Sequence, residues 1–312
     1  MDLEQRILKL VSLNNSFIHD DCAYLSKSHQ LISTDTLVEN VHFNLKHFDA
    51  SKIAHRLFVC NYSDIQSSGG YPEYALLNIS FPSKNFDLTQ QIIKSFKKLL
   101  TKYNIKLIGG DTTSSSKIYL SSTFISKPIK KSEIINRRNA KVGDSIYTFK
   151  NIVFSKLGYL SIFKKQNLNK NLLLKSKDQF LKPKIITYSN LFKRYNINSC
   201  MDISDSLYCS LKELSKQSKK RFFIDSLKDV SPLLLKNLDS DNYFSSVLSS
   251  GEEYVPVFTG KLTKQDIKLF KLNRIHVIKI GTVQKGQGVV FSELENFRNY
   301  TFSHFKNTYL NL

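Results

Sequence analysis

Leu31-Ile32-Ser33-Thr34-Asp35-Thr36-Leu37-Val38 is apolar and rich in branched side chains, yet it carries an acid in its middle. The composition predicts a strand. An unpaired carboxylate buried there would be costly. Asp35, flanked by Ser33 and Thr34, therefore calls for a cation or a hydrogen-bond network. Comparable acids recur along the chain, at Asp20-Asp21, in Asn61-Tyr62-Ser63-Asp64, after Gly109-Gly110 at Asp111, and in Asp202-Ile203-Ser204-Asp205. Lys and Arg outnumber Asp and Glu by 46 to 26, so carboxylates are scarce. Scarce acids beside Ser, Thr and Gly suit a hard cation such as Mg²⁺, which takes oxygen ligands and shares them with substrate phosphates.

Each cluster also has a plainer reading. Asp20-Asp21 could form a turn, since Asp is a common turn former. Asp64, ahead of Ser67-Ser68-Gly69-Gly70, could cap a helix or a turn, and Asp205 could be an N-cap. Gly109-Gly110 lets a backbone approach a ligand closely and cradle phosphate, but Gly-Asp turns are common too. The P-loop, the kinase catalytic signatures and the Rossmann glycine fingerprint are all missing. Nucleotide chemistry here would run through metal bridges between carboxylates and phosphates.

Outward from these clusters, strand and helix alternate, which argues for an α/β or α+β architecture. Strands are expected at 31–38, 74–81 (closed by Pro82), 105–108 (broken by Gly109-Gly110), 118–125, 145–149, 221–225, 254–259 and 274–281. Helices are expected at 87–103, around 152–164 and 177–195, and at 205–217. The first has apolar residues at helical spacing and an Asp87/Gln90 pair resembling a capping box. The basic run 126–144, with Pro128 and Gly143, marks a boundary between domains 1–136 and 137–312.

Composition narrows the class. The chain has 312 residues, 41% of them hydrophobic, with 22 Phe, 15 Tyr and no Trp. No apolar run approaches the roughly 20 residues that a membrane helix needs. The start does not read as a signal peptide, and a cytoplasmic protein without membrane contact is expected. Cys22, Cys60, Cys200 and Cys209 form no CxxC pair, so they are read as reduced thiols rather than zinc or redox sites. The net charge of +20 raises a nucleic-acid reading. Its densest stretch, Lys164 to Lys184, is interleaved mainly with Asn and Leu, shows no recognisable RNA-binding motif, and is read as a solvated helical surface. A general positive field would also draw anionic substrates towards an acidic metal site.

Taken together and in order, HDDCAYL (19–25), STDTLVENVHF (33–43), NYSDIQSSGGYPE (61–73), LIGGDTTSS (107–115), RRNAKVGD (137–144), MDISDSL (201–207), SGEEYVPVFT (250–259) and IGTV (280–283) resemble thiamine-monophosphate kinase. That family lies within the aminoimidazole ribonucleotide synthetase-like superfamily. The resemblance implies a two-domain α/β (α+β) fold whose N-terminal domain pairs strands across a homodimer. It implies transfer of the γ-phosphate of ATP to thiamine monophosphate at a multi-Mg²⁺ site. By the family's motifs Asp21, Ser33, Thr34, Asp35, Asp64, Asp111, Asp202 and Asp205 would hold Mg²⁺, with Asp35, Asp64, Asp111 and Asp205 central to catalysis. Gly110, Asp111, Arg137 and Ser204 would bind ATP. His42, Glu252 and Phe302 would contact the thiamine substrate.

The chemistry suits that implication. Two polyanions must meet, so charge neutralisation is the main task. The attacking phosphate oxygen is already anionic and needs no strong base. The sequence departs from the family at His19 and Ser206, where glycine is usual, at Glu253 in place of Asp, at Val255 in place of Glu, and in the glycine-poor TFKNIVFSKLG (148–158). The metal set is intact. The other readings are a different ATP-dependent member of the superfamily and a non-catalytic nucleotide- or nucleic-acid-binding protein.

Overall fold

A computed structural model describes residues 3–12, 20–129, 134–164, 170–192, 194–236 and 240–293. Two sheets account for the strands among them. The first has five strands in the order β1-β2-β5-β3-β4: β1 Ala23–Leu25, β2 Gln30–Val38, β3 Gly70–Phe81, β4 Lys106–Ser114 and β5 Tyr119–Pro128. The second has six, ordered β11-β8-β10-β6-β9-β7: β6 Ser145–Phe149, β7 Ile197–Asp202, β8 Arg221–Ile224, β9 Pro256–Gly260, β10 Val277–Gln284 and β11 Gly288–Phe291. Ten α-helices accompany them among the described residues: α1 Leu3–Ser12, α2 Ala50–Ser67, α3 Phe86–Lys102, α4 Phe154–Phe163, α5 Lys170–Leu181, α6 Ser189–Phe192, α7 Leu207–Ser218, α8 Pro232–Leu235, α9 Ser240–Leu248 and α10 Lys264–Leu272.

The pivotal element is α2. Asp49 caps it, accepting from Lys52 N at 2.9 Å. Fifteen of its 18 residues are buried, including Arg56, Asn61 and Ser63. It packs against β2, β3 and β5 on one side and α3 on another. A helix enclosed on all sides shows no polar face. Its sequence therefore hides it, and the reading of Asp64 as a cap is corrected: Asp64 lies within the helix.

Other expectations are corrected on physical grounds. The strand expected to stop at residue 108 runs through both glycines to Ser114. Gly110 has φ +154°, and a Cβ there would meet Leu77 O at 1.8 Å, so glycine lets β4 close against β3. The Asp87/Gln90 capping box does not form, because α3 is entered through a 3₁₀ turn at Ser83–Asn85 with Asn85 as N-cap. The helix expected over 177–195 is two helices, 170–181 and 189–192, interrupted at Pro183. The N-cap of α7 is Ser206, whose Oγ accepts from Cys209 N, rather than Asp205. Asp202 ends β7, whereas Asp35 and Asp111 lie inside β2 and β4.

Two cores result. One gathers Phe43, Phe58, Phe96 and Phe124 between the first sheet and helices α2 and α3. The other gathers Tyr188, Phe192, Phe258 and Phe270 around the second sheet. Tyr159 of α4, Phe180 of α5 and Tyr254 pack into the first core although they follow residue 150. This brings the end of β7 up to α2.

Candidate active site

Asp202 and Asp64 come together because of that packing. Ser63 Oγ on α2 donates to Asp202 Oδ2 at 2.6 Å. One residue on, Asp64 Oδ2 accepts from Ser33 Oγ of β2, also at 2.6 Å. Asn61 Oδ1 lies 3.2 Å from the same hydroxyl, so Ser33 lies between two side chains of α2. Asp21 is held at the end of α2 by Ser67 Oγ at 2.9 Å. One carboxylate oxygen each from Asp21, Asp64 and Asp202 lies within 4.8 Å of the others.

Three carboxylates at that spacing repel one another. Burial pushes the Asp64 carboxyl well above the usual range, and the charges of Asp35, Asp202 and Asp21 add to it. Burial also raises the Asp202 carboxyl, with Asp21 next and the Ser63 hydrogen bond opposing. The counter-charge is Arg137, whose Nη2 donates to Asp21 Oδ1 at 2.5 Å. Burial alone would pull the guanidinium down, but the Asp21 carboxylate outweighs it and keeps Arg137 charged. Asp20 accepts the Arg137 backbone N–H at 2.7 Å and pairs with Arg138 at 3.5 Å. The loop that follows the first sheet is thereby tied to the acids.

The oxygen-only donor set, the mutual repulsion and the Ser63, Ser67 and Ser33 hydroxyls fit Mg²⁺. Asp35 contributes through its charge, felt at both Asp64 and Asp202. It sits in β2 opposite Ser122 of β5. Thr34 is exposed on the same strand, with Thr123 Oγ1 donating to its hydroxyl at 2.9 Å. Asp111 and Gly110 are exposed on β4, the edge strand of the first sheet. Neither Asp111 nor Asp205 belongs to the three-carboxylate group. Ser204 and Asp205 are half-buried on the loop between β7 and α7.

Of the residues expected at the thiamine substrate, His42 follows β2, and its Nδ1 accepts from Val38 N at 3.0 Å, which fixes the ring. Glu252 is buried in an ion pair with Arg56 of α2 and accepts from Tyr254 Oη at 3.0 Å. Phe302 lies outside the described residues. Glu253, the longer acid of this chain, accepts from Val153 N at 2.7 Å, Ser155 N at 3.1 Å and Ser250 Oγ at 2.5 Å. It anchors the start of α4, and burial raises its carboxyl to about 7.

Sequence reasoning missed Arg56, Ser63 and Ser67. The two serines lie within the acidic motif and carry no periodic signal. Arg56 was detectable only as a lone charge between apolar neighbours.

The family model for the N-terminal domain of AIR synthase related proteins matches residues 19–126. A thiamine-monophosphate kinase of Buchnera aphidicola subsp. Schizaphis graminum is 34% identical over 308 residues, covering 92% of each chain. One of Leptospira interrogans is 31% identical over 299 residues, again covering 92% of each. Among solved structures, AaThiL complexed with AMPPCP and TMP superposes with a TM-score of 0.81 at 23% identity, covering 95% of this chain and 96% of that one.

Proposed function

The chain belongs to the thiamine-monophosphate kinase family, and we propose that it transfers the γ-phosphate of ATP to thiamine monophosphate, giving thiamine diphosphate. The observation that carries this reading is near-full-length similarity to curated kinases combined with the Asp21, Asp64 and Asp202 cluster at one point of the fold. Formation of thiamine diphosphate from the two substrates tests it.

Asp21, Asp64 and Asp202 would hold Mg²⁺, joined by Ser33, Thr34 and Asp35 from β2, by Asp111 from β4 and by Asp205 ahead of α7. A metal held by these residues would supply charge neutralisation for the transferring phosphoryl group. Arg137 would leave Asp21 and donate to ATP phosphate oxygens, for which a planar guanidinium is suited. Ser204 and the backbone at Gly110 would add phosphate contacts. His42, Glu252 and Phe302 would receive thiamine monophosphate. The acceptor is an anionic phosphate oxygen, so no residue need take its proton. The protein's task is in-line placement of two anions, which can supply a large share of the rate.

The exposed edge strand supports the homodimer. All nine residues of β4 are exposed, among them Leu107 and Ile108, and an unpaired edge of that length suits pairing with a second copy. The division into an N-terminal ATP, Mg²⁺ and dimerisation unit (1–136) and a C-terminal α/β unit (137–312) follows the two sheets. No helix among the described residues is long and apolar enough to cross a membrane, and a cytoplasmic site of action fits the substrates.

A further inference from the structure

We propose that Arg56 is a positioning residue, holding the loop that carries Asp202, Ser204 and Asp205 in place against α2. The inference rests on the metal reading given above. Arg56 is 1% exposed in the middle of α2. Its Nη1 pairs with Glu252, and its Nη2 donates to Phe180 O at 2.6 Å. The guanidinium carbon lies 5.0 Å from the Phe48 ring centroid and 4.9 Å from that of Phe180. A buried charge with this many ties is strongly located.

Glu252 in turn holds the acidic loop through its backbone. Glu252 N donates to Ser204 O at 2.6 Å, and Glu253 N and Tyr254 N both donate to Ile203 O, at 3.1 and 3.0 Å. Ile203 N returns a bond to Val255 O at 2.9 Å. The loops touch so closely that a Cβ on Gly251 would lie 2.1 Å from Asp205 O. Glu252 and Tyr254 both adopt left-handed backbone, at φ 57° and 51°. Non-glycine residues keep such conformations only where their surroundings over-determine them. Here the Glu252 side chain is fixed by Arg56 and by Tyr254 Oη, and Tyr254 Oη also accepts from Cys60 Sγ of α2 at 3.2 Å. The helix that bears Asp64 thus grips, eight residues earlier, the segment that shapes the Asp202–Asp205 loop. Partners bonded directly to a metal ligand are worth about 10–100-fold in metal affinity, and Arg56, acting through the Glu252 backbone, belongs at the lower end of that range.

The experiment measures Mn²⁺ binding, by the electron paramagnetic resonance of free Mn²⁺, to the full chain and to R56M, R56K and R56M/E252M, with near-ultraviolet circular dichroism as the fold control. The double variant removes both charges together, so its net charge is unchanged and no buried ion is left alone. The expected result is Mn²⁺ affinity lowered about tenfold or more in R56M and in the double variant, with a smaller loss in R56K, which keeps the charge but fewer of the ties. A purely electrostatic influence has the opposite sign in R56M, because removing a cation beside an acidic cluster tightens cation binding. Affinity equal to or tighter than that of the parent in any folded variant overturns the proposal. Failure of the parent chain to bind Mn²⁺ would sink the metal reading itself, a separate outcome from a variant that binds as well as the parent.

Discussion

Asp64 on α2 and Asp202 at the end of β7 bring carboxylate oxygens within 4.8 Å of each other, although 138 positions separate them and they belong to elements packed on different sheets. Ser63 bridges the two elements at 2.6 Å. The cluster therefore forms where the two halves of the chain meet, and burial and like charges raise its Asp64 and Asp202 carboxyls.

Asp64→Asn is expected to separate stability from function. Burial and like charges raise the Asp64 carboxyl, so a neutral amide relieves the metal-free protein. The melting midpoint without Mg²⁺ should rise by at least ~2 °C, given about 2–4 °C per kcal/mol for chains of this size. The upward shift that Mg²⁺ produces in the parent should vanish, because stabilisation by a ligand requires its site. Thermal melts with and without 10 mM Mg²⁺ (about ten times a millimolar affinity) read both effects. A lower metal-free midpoint would contradict the electrostatic account.

Asp111→Asn addresses an acid outside the three-carboxylate group. Asp111 is exposed on β4, opposite Asn78 in register, so the change should leave the melting midpoint alone. Single-turnover transfer at saturating Mg²⁺ should fall at least ~10²-fold if this carboxylate meets the metal-bound phosphates. A parent-like rate would remove Asp111 from the site.

Gly110→Ala tests the close approach that allows β4 to continue past its glycines. An alanine Cβ would lie 1.8 Å from Leu77 O at a φ of +154°. Loss of at least ~2 kcal/mol is expected, from overpacking and backbone strain together. Urea midpoints measure it, and an unchanged midpoint would mean that β4 does not pair with β3 as described.

Glu253 gives a pH signature of known sign. Its folded carboxyl is raised from 4.5 to about 7 by burial, with the Ser250, Val153 and Ser155 hydrogen bonds opposing. Below pH 4.5 the group is protonated in folded and unfolded chains alike. As pH rises towards and past 7 the unfolded chain ionises first, and stability is lost by up to about 3 kcal/mol. Glu253→Gln should match the parent near pH 4.5 and exceed it increasingly up to pH 8. Denaturant midpoints across that range check it, and parallel pH profiles for the two proteins would refute it.

Strands built on branched apolar runs were legible, among them β2 and Ser145–Phe149, and so were α3 and α7 from their one-sided leucine and isoleucine spacing. The helix α2 was not, because burial on every side erases the polar face that identifies a helix. The continuation of β4 depended on a backbone approach that only glycine permits, and glycines in sequence read as a break. Every acid now in the cluster was singled out from its setting in the chain. Their assembly was not legible, since the Ser63–Asp202 and Arg56–Glu252 ties are tertiary. Nor was it legible that Glu252 is held by Arg56, or that Ser206 rather than Asp205 caps α7.

The central claim is that this chain phosphorylates thiamine monophosphate at a carboxylate-bound Mg²⁺ site. The most direct measurement incubates the full chain with ATP, Mg²⁺ and thiamine monophosphate and follows thiamine diphosphate and ADP by chromatography, with Asp64→Asn and a chelator as controls. The account predicts equal amounts of thiamine diphosphate and ADP, dependent on Mg²⁺ and lost in the variant. ATP and thiamine monophosphate left unconverted across a range of Mg²⁺ and K⁺ concentrations would contradict it.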